Sequence, residues 1–512
     1  MGNVYKTGNY IAHKGDDRLK SIFFQISTKQ IFILYLLIWS VRFINIDLPI
    51  FEGTSLRQVA TASVIKFFFI EGISLENFFY PKMYRDEFNQ YYLTEMPIYN
   101  VLVALACKIY GSYEEWIGRF VSILFSGLAG VYFYRFLSNN TSKRIAGIAL
   151  LLYALSPLSI IYTRAIQPNP LMLFFLMATI YNLDNYLKKP QWKSFCLTSA
   201  LGGTLFILNA ALQVLGIFFI SMAFKIYNKR VFSNWKLYVM AISMLTPTWL
   251  WIIHGNNFLQ NNLTGAPVVL GPINKEDLPF LSLSWITDYS FLKIQFEQIS
   301  GVILTPIGFG MFVLGLCLLR KKDSVLIYWL ISLSIFFVVI NTQMHSHYYL
   351  PWIFPMVWVV ANSISFVFDN LPAESFCRKG PYLSLLILLT VGIIAGYGNS
   401  GFIVPASVKM VPDAVESLNK YFPRDVFGII STSDTAVLGY QVDRKVKVLG
   451  GNSGEEKVDA FRKILQRSDP KYYLSIYPYE DYNDRNVFSS FLRKNYTVAE
   501  YKKSNFVLYK IE

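Results

Sequence analysis

The sequence predicts a polytopic α-helical membrane protein. It has about eleven spans, interfacial helices in the first outer loop, and a small C-terminal α/β domain outside the cytoplasm. Three observations predict it. Of the 512 residues 54% are hydrophobic and only 16% charged, against about 25% charged in an ordinary soluble domain. Long runs almost free of charge alternate with short basic clusters. From about residue 405 onward the composition returns to that of a soluble domain. Of the 34 Tyr and 42 Phe, many sit at the edges of apolar runs, where amphipathic rings settle at headgroup level.

The elements follow in order. Residues 1–26 form a polar tail with Lys6, Lys14, Arg18 and Lys20, which the positive-inside rule leaves in the cytoplasm. No small-residue cleavage site follows the first apolar run, which therefore reads as the first span rather than a signal peptide. Apolar segments then occur at about 27–46, 97–111, 116–137, 144–162, 169–187, 194–209, 210–226, 236–254, 300–319, 324–341, 348–368 and 381–398. Charge decides which of them cross. The clusters Lys143/Arg144, Lys188/Lys189/Lys193, Lys225/Lys229/Arg230/Lys236, Arg320/Lys321/Lys322 and Arg378/Lys379 all fall inside only if 97–111 does not span. That segment is the shortest, opens at Pro97 and is interrupted by Lys108, so it reads as a helix lying at the outer interface. The transmembrane domain is then 27–400, with large outer loops at 47–115 and 255–299 and short ones at about 163–168 and 342–347.

Residues 401–512 read as a soluble extracytoplasmic domain. A helix from Val415 to Tyr421 precedes strands at Val426–Ser431 and Lys445–Leu449, an amphipathic helix from Glu455 to Gln466, and strands at Tyr472–Ile476, Thr497–Tyr501 and Phe506–Ile511. Such alternation predicts a small α/β domain. Gly450, Gly451 and Gly454 read as a turn rather than a dinucleotide-binding fingerprint. The net charge of +14 does not point to nucleic acid. The basic residues sit in loops facing anionic lipid, and no RNA- or DNA-reading motif is present. Cys107, Cys196, Cys317 and Cys377 show no metal spacing and read as small apolar fillers.

The outer loops hold the unusual polar residues, and any chemistry is expected there. The first begins Asp47-Leu-Pro-Ile-Phe-Glu52 and continues Leu56-Arg57-Gln58-Val59-Ala60-Thr61-Ala62; Glu95-x-Pro97-x-Tyr99 follows later. Gly111 precedes Glu115-Trp116-x-Gly-Arg119, and Ser156-Pro157 precedes Arg164, Gln167 and Pro168-x-Pro170. His254 ends one span, and His345-Ser-His347-Tyr348-Tyr349-Leu-Pro351 opens another. Asp86 and Glu87 read as water-facing.

In this order the motifs resemble the GT-C superfamily of membrane glycosyltransferases. The likeness is to the family-39-like branch that holds protein O-mannosyltransferases and the lipid A aminoarabinose transferase. The layout covers roughly residues 27–400, and a relative's Trp-Arg-Gln-Ala-Asp-Thr-Ala stretch aligns with Leu56–Ala62. The resemblance implies a polyprenyl-phosphate-linked sugar as donor, drawn from membrane lipid. It implies inverting transfer to a glycan, lipid or protein acceptor outside the cytoplasmic membrane of a bacterium. A carboxylate must take the acceptor's proton, and cations must meet the charge growing on the leaving phosphate.

On that reading Glu52 is the expected base. Glu95 is a catalytic carboxylate at a position that helps bind metal in the aminoarabinose transferase. Arg57, Gln58, Arg164, Gln167, His347 and Tyr348 are expected to bind the donor phosphate, because a guanidinium matches phosphate bidentately. If a divalent metal takes part, Glu95, His254 and His345 are its expected ligands. Ala60, Asn169 and Met96 stand where relatives often carry Asp, an acid and Lys. Two other readings stay open: a lipid-linked-sugar transporter or flippase, and a non-catalytic subunit of envelope-polysaccharide assembly.

Overall fold

A computed structural model describes residues 27–48, 50, 55–83, 91–261, 289–320, 323–340, 346–370, 411–423, 426–431, 440, 446–449, 454–476, 487–502 and 506–511. The apolar runs become helices. Ser27 and Gln30 form a reciprocal cap that starts Thr28–Trp39, satisfying two of the backbone donors that every helix start exposes. Glu115–Asn140 has 26 residues, about 39 Å of helix against a hydrocarbon core of about 30 Å. Lys143–Leu155 breaks at Ser156, because Pro157 has no N–H to continue the ladder, and resumes as Pro157–Tyr162.

Asn169–Lys188, Trp192–Leu208, Gly216–Tyr227, Trp235–Asn261, Thr305–Cys317, Ser324–Ile340 and Ile353–Asn370 follow. Among the described residues four helical stretches are long and apolar enough to cross a bilayer, and a pair bent by 107° between Ile303 and Thr305 makes a fifth. The chain is thus a mostly helical, polytopic membrane protein. The predicted segment 381–398 lies outside the described residues.

Close helix packing follows from small residues. At Gly130 an added Cβ would sit 2.4 Å from the Tyr35 hydroxyl, and that hydroxyl donates to Gly127 O at 2.9 Å. Glycine is therefore what lets the first helix lie against Glu115–Asn140.

Ile98–Tyr110 differs from the rest. Its 13 residues make about 20 Å, short of a bilayer core. It ends at Gly111, whose φ of 99° suits glycine. It packs along Ser55–Ile70, where Asn100 Nδ2 donates to Thr61 O at 3.0 Å, while Ile109 is 89% exposed.

The C-terminal domain has a five-stranded sheet in the order β2-β1-β3-β5-β4. The strands are β1 Gly428–Ser431, β2 Val446–Val448, β3 Tyr472–Ile476, β4 Thr497–Lys502 and β5 Phe506–Lys510. β1 pairs in parallel with β2 and β3, whereas β5 runs antiparallel to β3 and β4. The two-residue strand period sorts the side chains onto two faces. Ile430, Leu474 and Leu508 pack with Ala414 and Leu418 of the Val411–Tyr421 helix. Ile429, Tyr473, Val507 and Tyr509 pack with Val458, Phe461, Phe488 and Leu492 of the Glu455–Arg467 and Val487–Asn495 helices. The Val487–Asn495 helix was not anticipated. Tyr440 of this region reaches the first loop, where its hydroxyl bonds Tyr113 and its ring lies 5.9 Å from Lys66 Nζ.

Candidate active site

The helix Ser55–Ile70 carries Arg57 and Gln58 side by side, so the two side chains leave it about 100° apart and meet different segments. Arg57 turns to the segment 91–97. Its Nη2 donates to both carboxylate oxygens of Glu95, at 2.6 Å each, and its Nη1 donates to the Tyr92 hydroxyl. The side chains are 25% and 11% exposed for Arg57 and Glu95. Burial works against the guanidinium's charge, but Glu95 and then Tyr92, with a smaller contribution from Tyr348, hold its pKa above the ordinary value. Arg57 is therefore charged at every working pH. The Tyr92 phenol is pushed up chiefly by burial, against Arg57, and stays neutral.

Gln58 turns to the loop after Tyr162. It is fully buried, and its Oε1 accepts from Ile166 N at 2.9 Å. That loop is held along much of its length. Thr163 Oγ1 accepts from Arg42 Nε at 2.7 Å, Thr163 O from Ser126 at 3.1 Å, and Ala165 O from Ser122 at 2.7 Å. Asn169 donates to His347 O at 3.4 Å. His347 is itself buried, with its ring 4.3 Å from that of Tyr348 and 6.2 Å from that of Tyr162.

Arg164, expected on the donor phosphate, is 2% exposed, and its Nη2 donates to Asn45 O at 2.9 Å. Arg119 does similar work next door, donating to Ile46 O at 3.1 Å and to Leu48 O. Asn45 has a φ of 53°, a left-handed turn that asparagine tolerates. Two buried arginines thus anchor the chain a few residues before Glu52. Gln167 is buried, and among the described residues neither side-chain amide atom has a hydrogen-bond partner.

The segment bearing Tyr92 and Glu95 leans on the helix Trp235–Asn261. Trp251 Nε1 donates to Thr94 O at 3.3 Å, and Tyr92 N to Pro81 O at 2.8 Å. His254 Nε2 lies 2.9 Å from Phe79 O; a carbonyl only accepts, so this nitrogen carries the proton. His254 also packs against Tyr80, Trp251 and Phe79. Among the described residues no three His, Cys, Asp or Glu gather as a metal site. Both oxygens of Glu95 accept from Arg57, and His254 donates from Nε2 to a backbone carbonyl, which leaves Nδ1 as its acceptor nitrogen. Glu52 and His345 lie outside the described residues.

Arg57, Gln58, Glu95, His347 and Tyr348 are thus brought together from three distant stretches, with Arg164 and Gln167 in the adjoining loop. Reading the sequence missed Tyr92, Trp251 and above all Arg42. Arg42 is fully buried, stacks 3.6 Å from the Trp39 ring and also donates to Ala154 O and Ser159. A charged residue inside the first apolar run was the available signal.

The family model for dolichyl-phosphate-mannose-protein mannosyltransferases matches residues 95–252. No curated protein matches by sequence. Among solved structures the chain is similar to ArnT from Cupriavidus metallidurans bound to undecaprenyl phosphate. The TM-score is 0.61 at 11% identity, over 94% of this chain and 97% of that one. It is also similar to the oligosaccharyltransferase of Archaeoglobus fulgidus (0.56, 13%, over 90% and 71%). The mycobacterial arabinofuranosyltransferase AftD scores 0.54 at 12%, over 95% of this chain and 40% of that one. These likenesses show a shared fold over nearly the whole chain, the fold that the resemblance read from short motifs implied.

Proposed function

We propose that this protein is a membrane glycosyltransferase that moves a sugar from a polyprenyl-phosphate donor to an acceptor hydroxyl on the outer side of the cytoplasmic membrane, with inversion. The arrangement that carries the reading is Arg57 between Glu95 and Tyr92, with Tyr348 in its field. It is a permanently charged guanidinium, partly open, built from segments far apart in sequence.

Inverting transfer joins the acceptor oxygen to the anomeric carbon as the bond from that carbon to the phosphate oxygen breaks. The acceptor's proton passes to a carboxylate, and the electron pair leaves with the lipid phosphate, whose added negative charge Arg57 meets. Glu52 is the proposed base. It lies four residues after Leu48, anchored by Arg119, and five before Arg57.

Sidedness is part of the proposal. Arg144 and Lys188 sit with Asp369 and Asp184 at helix ends away from Arg57, as cytoplasmic positive charge should. The contact of Tyr440 with Tyr113 favours a C-terminal domain on the Arg57 side, where it would help present the acceptor. Eleven spans, with Ile98–Tyr110 lying at the interface, fit both points. The helix broken by 107° beside Thr305 is the one observation that favours a transporter instead.

One assay separates the readings. The purified chain is given a polyprenyl-phosphate sugar labelled in the sugar, with envelope fractions as acceptor. Transfer of label by the wild type, lost in Glu52→Ala, is expected. Label that crosses the bilayer still attached to its lipid would favour the transporter.

A further inference from the structure

The next inference deepens the lipid-phosphate reading and concerns what Glu95 does when no donor is bound. A guanidinium offers two forked edges to a phosphate, Nη1/Nη2 and Nε/Nη2, and both use Nη2. In Arg57 that nitrogen is held by both oxygens of Glu95, and Nη1 is held by Tyr92. A phosphate that grips Arg57 by either edge must therefore share or take Nη2 from Glu95. Glu95 is mostly buried and Arg57 more open, so an incoming anion reaches the guanidinium from its exposed side and meets the carboxylate as a rival.

We propose that Glu95 is a built-in competitor for the phosphate of the polyprenyl lipid. It neutralises Arg57 while the site is empty and yields it to the phosphate on binding. It takes Arg57 back as the spent lipid phosphate leaves, which keeps product from lingering. This role differs from metal ligation in sign: a competitor weakens lipid-phosphate binding, a ligand to a bridging metal strengthens it.

The test measures binding of a polyprenyl monophosphate to the purified full chain in detergent, with inorganic phosphate as a parallel probe. Glu95→Gln is expected to bind the lipid about tenfold more tightly than wild type, the scale of removing one charge-assisted pair. Glu95→Asp, whose carboxylate is drawn back by one methylene, should fall between, and it carries the test if Glu95→Gln does not fold. The gain should vanish when Arg57→Ala is added. Equal or weaker binding by both Glu95 variants overturns the proposal. A gain seen with inorganic phosphate but not with the lipid overturns the choice of ligand. If neither wild type nor variant binds the lipid at all, the donor reading itself has failed, an outcome distinct from loss of competition alone.

Discussion

At one end of the helical bundle Lys188 meets Asp184 at 2.7 Å, four residues away on the same helix, with Asn140 bonding both. At the other end Arg57 meets Glu95 at 2.6 Å across 38 residues of sequence. The chemistry is the same, yet the two pairs answer to different demands. Lys188 and Asp184 are neighbours because helical spacing puts positions i and i+4 on one face, so the pairing itself is local, and Asn140 of the neighbouring helix only adds to it. Arg57 and Glu95 meet only because the Ser55–Ile70 helix and the segment leaning on Trp251 are each fixed by other contacts. A pair that local geometry provides free is a helix-end ornament. A pair that the whole fold must assemble, and that leaves one partner partly open, marks a place where charge is kept for use.

Three changes put that contrast to work. Arg57→Ala should have the largest effect, lowering sugar transfer by about a hundredfold or more, the usual scale for removing a group that meets transition-state charge; transfer within a few fold of wild type would erase the distinction between the two ends. Arg119→Met comes next. It leaves the carbonyls of Ile46 and Leu48 without their buried donor, which should cost about 3 kcal/mol and lower the thermal midpoint in detergent. An unchanged midpoint would mean that this anchor before Glu52 contributes little. Lys188→Ala is the smallest. Lys188 is 38% exposed but Asp184 only 5%, so the change leaves a buried carboxylate on Asn140 alone and should cost about 1–2 kcal/mol, while leaving transfer unaltered; a drop in transfer would show that the far end is coupled to the site.

The periodic parts of this protein were legible early. Apolar runs at 116–137 and 169–187 became Glu115–Asn140 and Asn169–Lys188 within a few residues, and the strand at Tyr472–Ile476 was read to the residue. Motif order also pointed to Arg57, Gln58 and Glu95. What each of them touches was not legible. Arg164 and Arg57 look alike as loop arginines, yet one is buried on the Asn45 carbonyl and the other stands partly open against Glu95. His254, named as a candidate metal ligand, pins the Phe79 carbonyl among aromatic rings.

The sequence by itself determined that the chain is a helical membrane protein, where most of its long helices run, and that a small α/β domain follows them. Hydropathy and the periods of 3.6 and 2 are local properties, written in consecutive residues. Only the tertiary structure decided which cations hold backbone and which meets a carboxylate. A guanidinium's role is set by the acceptors within about 3 Å of it, and here those come from stretches that nothing but the folded chain brings together.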